Sequence, residues 1–175
     1  MNPSILLAIM PAASARATVY APLLVHAMAE FGIDTPRRQA GFLAQVAHES
    51  ESLRYTLELA SGDAYEMRLD LGNVMTGDGR KFKGRGLIQI TGRDNYRKCA
   101  GDLGVNLQQY PELLEKPVLA CRSAGWFWRS RSLNQYADTD QFGTLTKKIN
   151  GGFNGLDNRI SFWLRARETL GVKPL

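Results

Sequence analysis

The chain has 175 residues, a net charge of +5 and a pI near 9.4, with 44% hydrophobic and 22% charged residues. That is one folded domain, long enough to bury a real core, and no segment approaches the ~20 apolar residues of a membrane span. Two cysteines, Cys99 and Cys121, are too few for a disulfide scaffold or a zinc site, and the two histidines, at 26 and 48, lack metal-ligand spacing. The positive charge favours an anionic partner: nucleic acid, an anionic membrane surface or an acidic polysaccharide. Lys and Arg are scattered, however, and the densest basic run, Arg80 to Arg85, carries glycine and suits a loop better than a nucleic-acid helix.

In chain order the pattern is helical almost throughout. A short helix near Ser4–Met10 precedes a second, marked by Val19, Tyr20, Leu23, Leu24, Ala27, Met28 and Phe31 and stopped by Gly32. Thr35 as N-cap and Pro36 at the first position open a third, read as Pro36 to Leu53. From Gly62 to Arg85 periodicity collapses into a glycine- and Asp-rich stretch, long enough to be functional or disordered. Leu87–Thr91, apolar and β-branched between glycines, allows a small antiparallel strand. Helical spacing returns at Tyr96, Cys99, Ala100 and Leu103, and again at Val118–Trp128 after Pro117. It recurs at Phe142, Leu145 and Ile149 before Gly151, and at Ile160, Trp163, Leu164 and Arg167 before Gly171. Both cysteines fall on these helices, which predicts buried free thiols. The expected architecture is a single α-rich domain, residues 1–175, with no repeat or linker.

Glu49 stands out. At ~100° per residue it lies on the stripe of Phe42, Val46 and Leu53, while Glu51 points to the opposite side. A carboxylate on an apolar face is rare unless paired, and desolvation favours its protonated form, that of a proton donor. The competing reading is a salt bridge from Glu49 to a nearby Arg inside the core. Glu58 follows nine residues later. In one continuous helix the two carboxylates would point to opposite faces ~13.5 Å apart. Joint action therefore requires the helix to end soon after Leu53 and fold Glu58 back.

The order His48-Glu49, Glu58, Tyr65-Glu66-Met67-Arg68 with Leu71-Gly72-Asn73, then FKGRGLIQITGRDNY from Phe82 to Tyr96, resembles glycoside hydrolase family 19. The likeness continues through Pro111–Leu114, Ser123–Trp128 and Ile149–Gly152 to Arg159, nearly the whole chain. Within the family it is most similar to compact phage-type endolysins that degrade peptidoglycan, more than to plant chitinases. The resemblance implies a lysozyme-like, two-lobed helical fold with a cleft. It also implies an inverting mechanism with two carboxyl groups ~6.5–9.5 Å apart.

Position by position, the resemblance makes Glu49 the general acid, Glu58 the general base and Thr91 the residue whose hydroxyl holds the attacking water. It makes Gln89, Asn95 and Asn150 binders of sugar acetamido and hydroxyl groups, and Arg159 an organiser of the base side of the cleft. His48 is counted with the substrate-binding set. Each has a structural rival. Thr91, three residues before Asp94, suits a helix cap; His48 suits orientation of Glu49 or a loop carbonyl; Asn150 suits a helix end; Trp126 and Trp128 suit the core. Glu66 competes with Glu58 as base, with an ion pair to Arg68 as its default role. The chain also departs from the family pattern. Ser50-Glu51-Ser52 stands where Ser-Gly-Gly is usual, Met67 replaces a common glycine, and Val74 a usual Thr.

These features predict an endolysin that hydrolyses β-1,4-glycosidic bonds of peptidoglycan without metal or organic cofactor, as a monomer. A chitinase on the same scaffold is the alternative, and a catalytically inactive wall-binding module is the alternative of another class. Nucleic acid and stable membrane association are not expected. No secretory signal is read at the N-terminus, because the apolar run Ile5–Met10 is short and no Lys or Arg precedes it. By analogy the protein would be made in a host cytoplasm and reach the wall through a holin-like pore.

Overall fold

The computed structural model describes residues 1–173. Nine α-helices occur among them: α1 (Pro3–Ile9), α2 (Arg16–Glu30), α3 (Pro36–Glu49), α4 (Asp78–Lys81), α5 (Arg93–Leu103), α6 (Pro117–Ser130), α7 (Asn134–Asp138), α8 (Phe142–Asn150) and α9 (Leu156–Thr169). Capping is local. The Asn2 side chain accepts from Ile5 N and Thr35 from Arg38 N, each followed by a proline that needs no donor partner. The predicted strand is absent: only isolated bridges, Leu57 with Arg85 and Arg85 with Ile90, occur among the described residues. Leu87, Ile88 and Ile90 are apolar because they are buried, and Gln89 turns between them at φ +54°.

The core lies around α6, whose Ala120, Cys121, Ala124, Trp126, Phe127 and Trp128 are all buried. It packs against α2 and α5, while α3 packs against α9 and α7. Trp128 meets Phe42 of α3 edge to face at 5.6 Å, and both indole N–H groups are satisfied: Trp126 donates to Asp102 at 2.6 Å and Trp128 to Asn134 at 2.7 Å. Cys99 and Cys121 are free and buried, and burial pushes the Cys99 thiol up to about 12. On α9 the expected apolar stripe is rotated. Leu164 is exposed, whereas Arg159 and Ala166 are fully buried.

The irregular stretch before α5 is pinned by buried polar groups. Asp78 accepts from Val74 N and Met75 N and pairs with Arg93, which holds its carboxyl below the usual range. Asn73 donates to Tyr65 O and accepts from Arg93 N. Arg85 donates to Lys81 O, to the Tyr96 hydroxyl and to Glu115, fixing the glycine-flanked turn from below. Among the described residues no helix is long and apolar enough to cross a membrane.

Candidate active site

α3 ends at Glu49, four residues before the predicted end, and the reason is Ser50. Its buried hydroxyl donates to Val46 O at 2.6 Å and accepts from Leu53 N at 2.8 Å. Its carbonyl takes Arg54 N and Tyr55 N. Between these bonds Glu51, Ser52 and Leu53 run left-handed, with φ of +48°, +56° and +67°. This turn reverses the chain and delivers Glu58 to the neighbourhood of the Gly84 strand of loop, where Glu58 N donates to Gly84 O at 2.9 Å. Left-handed backbone favours glycine, so the family's Ser-Gly-Gly has a physical meaning at these positions, and Met67, at φ +54°, repeats it.

A cleft of about 530 Å³ is lined by Glu49, Tyr65, Gln89, Thr91, Asn95 and Asn150, with Phe127, Arg131 and Lys148 on its wall. Glu49 therefore opens to the cleft, its side chain 18% exposed, while its other contact is internal. Arg159, fully buried, places Nη2 2.6 Å from Glu49 Oε1. The approach is an ion contact whose angles miss a hydrogen bond. Arg159 is in turn held by Gln45 and by Asn154 O, and Gln45 donates to Thr146 of α8 at 2.9 Å. The salt-bridge reading of Glu49 is thus what the structure shows. Arg159 is corrected from the base side of the cleft to the acid side, because α9 packs along α3 with Gln45 and Glu49 one helical turn apart.

Glu58 does not line the cleft directly. Its Oε2 accepts from Gly84 N at 2.9 Å, and its Oε1 accepts from the hydroxyl of Tyr65, a lining residue, at 2.9 Å. A Cβ on Gly84 would stand 2.7 Å from Gln89 Oε1 and 3.1 Å from Glu58 Oε2, so only glycine lets the three groups converge. Burial, and then the Glu58 carboxylate, push the Tyr65 phenol up. In the sequence Tyr65 stands within a motif that assigns it no role. Its signal is the pairing of a phenol with a carboxylate seven residues earlier.

Glu66 is corrected too. It pairs with no Arg68; its two oxygens accept from Gly77 N at 2.6 Å and Gly79 N at 2.8 Å, whereas Arg68 pairs with Asp70. Thr91 is not a helix cap. The N-cap of α5 is Gly92, and the Thr91 hydroxyl donates to Gln89 O at 2.9 Å. Asn95 donates to Thr91 O at 2.7 Å, and Gln89 to Gly86 O at 2.9 Å, so both amides are preorientated at the cleft. Asn150 is the last residue of α8 before left-handed Gly151, and lines the cleft from the opposite wall.

His48 is not among the lining residues. Its Nδ1 lies 2.8 Å from Asn158 Oδ1, and its ring sits on Gly155, where a Cβ would come within 2.1 Å of Cε1. It ties α3 to the start of α9. No group of three or more metal-ligating side chains gathers among the described residues.

The family model described as chitinase class I, of glycoside hydrolase family 19, matches residues 25–141. The chain belongs to glycoside hydrolase family 19. A family 19 domain-containing protein of Haemophilus influenzae is 34% identical over 158 residues, covering 72% of this chain and 76% of that protein. An endochitinase of Arabidopsis thaliana is 36% identical over 157 residues, covering 82% of this chain and 51% of the plant protein. The chain thus spans about half the length of that plant relative. In fold it is similar to chitinase C from Streptomyces griseus, with a TM-score of 0.80 at 23% identity, covering 97% of this chain and 76% of the other. The class IV chitinase of Zea mays gives 0.71 at 25% identity over 87% and 80% of the two chains. The family 19 lysozyme-like helical fold expected from the sequence is the fold observed.

Proposed function

We propose that this family 19 enzyme is an endolysin that hydrolyses β-1,4 bonds of peptidoglycan glycan strands by inversion. The observation that carries the catalytic reading is the convergence on one cleft of Glu49, Thr91 and the Tyr65 hydroxyl that holds Glu58. Glu49, in its protonated form, gives its proton to the leaving glycosidic oxygen, and Arg159 stabilises the carboxylate as the ion pair re-forms. A water donates one hydrogen to Glu58 and the other to Thr91 Oγ1. That hydroxyl is free to accept because its own proton is committed to Gln89 O. The lone pair of the water is left aimed at the anomeric carbon. Gln89, Asn95 and Asn150 supply neutral amides suited to acetamido and hydroxyl groups.

Support for peptidoglycan comes from the likeness to compact endolysins and from the net charge of +5, which suits an anionic wall. A chitinase reading is favoured by the printed names of the relatives, and it needs the same acid, base and water. The enzyme acts as a monomer on the wall, and entry through a holin-like pore rests on the same likeness. Mass spectrometry of digested peptidoglycan, run beside soluble N-acetylglucosamine oligomers, tests the choice. Fragments ending in reducing N-acetylmuramic acid are expected, and oligomer cleavage without wall release would assign the chitinase instead. Proton NMR before mutarotation is expected to show the α-anomer first, and an initial β product would overturn inversion.

A further inference from the structure

The amides and hydroxyls of the cleft are what a neutral glycan needs, yet two cations, Arg131 and Lys148, line it as well. Arg131 takes part in no ion pair among the described residues. Its guanidinium stacks on Phe127, 3.6 Å from the ring centroid, and burial pushes its pKa below the ordinary arginine value with no carboxylate to restore it. Lys148, exposed and two residues before Asn150, stands on the same cleft and reaches no carboxylate either. A partly desolvated, unpaired guanidinium is costly, and an incoming anion offsets that cost. Most other arginines are matched to Asp or Glu, as Arg38, Arg93 and Arg122 are, and Arg16, Arg129 and Arg165, which like Arg131 have no ion pair among the described residues, do not line this cleft.

We propose that Arg131 and Lys148 are a carboxylate-reading pair that selects glycans bearing an acid group on alternate sugars. This rests on the glycosidase reading above and deepens its substrate class. Chitin carries no charge. Peptidoglycan carries carboxylates on the peptide stem, or on the lactyl ether once the stem is removed. Either source presents an anion at disaccharide spacing, and the flat, donor-rich guanidinium of Arg131 is fixed in orientation by Phe127 before substrate arrives. The pair acts on binding and not on the bond-breaking atoms, so its removal raises KM on acidic strands.

The test compares wild type with Arg131→Gln, Lys148→Gln and the charge-conserving Arg131→Lys, each first checked by thermal melting. The substrates are stem-bearing peptidoglycan, amidase-stripped strands, strands whose carboxyls have been amidated, and the neutral N-acetylglucosamine hexamer. Expected is at least a tenfold fall in the ratio of acidic-strand to hexamer kcat/KM for the Gln variants, carried by KM, with Arg131→Lys recovering only part of it, since it keeps the charge and loses the stacked, flat donor array. Wild type should lose the same factor on amidated strands, and the Gln variants should be indifferent to amidation. Loss on only one of the two acidic substrates identifies the stem or the lactyl group as the source. Ratios within twofold of wild type would overturn the proposal, as would a wild type that cleaves the hexamer and not the wall. A wild type that cleaves neither glycan would instead remove the glycosidase reading beneath it.

Discussion

Glu49 pairs with Arg159 and is proposed as the proton donor, two roles that one substitution separates. Glu49→Gln is expected to lower turnover by about 10²–10⁴, the usual contribution of a positioned proton donor. The apolar stripe read alone predicts that stability would hold or rise on losing a desolvated charge. The structure reverses that sign, because Arg159 stays buried with its counter-charge gone. A loss of about 1–3 kcal/mol is expected, less than for deleting a fully buried pair because Gln still accepts and Glu49 is partly exposed. Retention of a tenth of wild-type turnover would end the acid assignment. The two other carboxylates divide differently. Glu58→Gln should be folded and nearly inactive. Glu66→Gln should be active but less stable by about 1–3 kcal/mol, since one amide oxygen cannot serve both Gly77 N and Gly79 N. The opposite pattern, dead at Glu66 and active at Glu58, would move the base. Thr91→Val should slow turnover with little change in KM, because its hydroxyl is assigned to water and not to sugar.

Elements with a strong 3.6-residue rhythm were legible, and those without one were not. α2, α3, α5, α6 and α8 follow their apolar spacing, whereas α4 and α7 are too short to show any. Leu87–Ile90 looked like a strand because burial, not pleating, had selected its apolar side chains. The spacing of α9 locates the helix but not its rotation, because a buried Arg does not look like a core residue until its partner, far away on α3, is known. The end of α3 was the decisive unseen feature, since Ser50 acts through its hydroxyl and not through propensity. Ser50→Ala leaves Leu53 N without its acceptor inside the core. It is expected to cost about 1–3 kcal/mol and to lower activity more than an equal destabilisation elsewhere, because the turn carries Glu58 back to Gly84 and Tyr65. Thermal melts paired with rates, and a matched Asp78→Asn control, check this. Asp78 has a depressed pKa, so its contribution is present above about pH 4, the ordinary Asp value, and fades as pH falls below it. The stability gap between wild type and Asp78→Asn should close in that acidic window, and a gap independent of pH would deny Asp78 its charged role.

At the scale of the whole molecule, the cleft is built from segments distant in the chain. One wall comes from Tyr65 to Asn95 and the other from Lys148 to Gly151, with Glu49 between them. A chain truncated before α9 should therefore show no glycan cleavage and a collapsed melting transition, although every residue assigned to acid, base and water is present; activity in such a fragment would sever Arg159 from the site. The links involved are long. Gln45 meets Arg159 across 114 positions of sequence, and His48 meets Asn158 across 110. During synthesis the residues assigned to acid, base and water leave the ribosome before the guanidinium that seats Glu49, which follows on α9. A nascent chain is thus expected to stay inert until α9 has emerged and packed on α3.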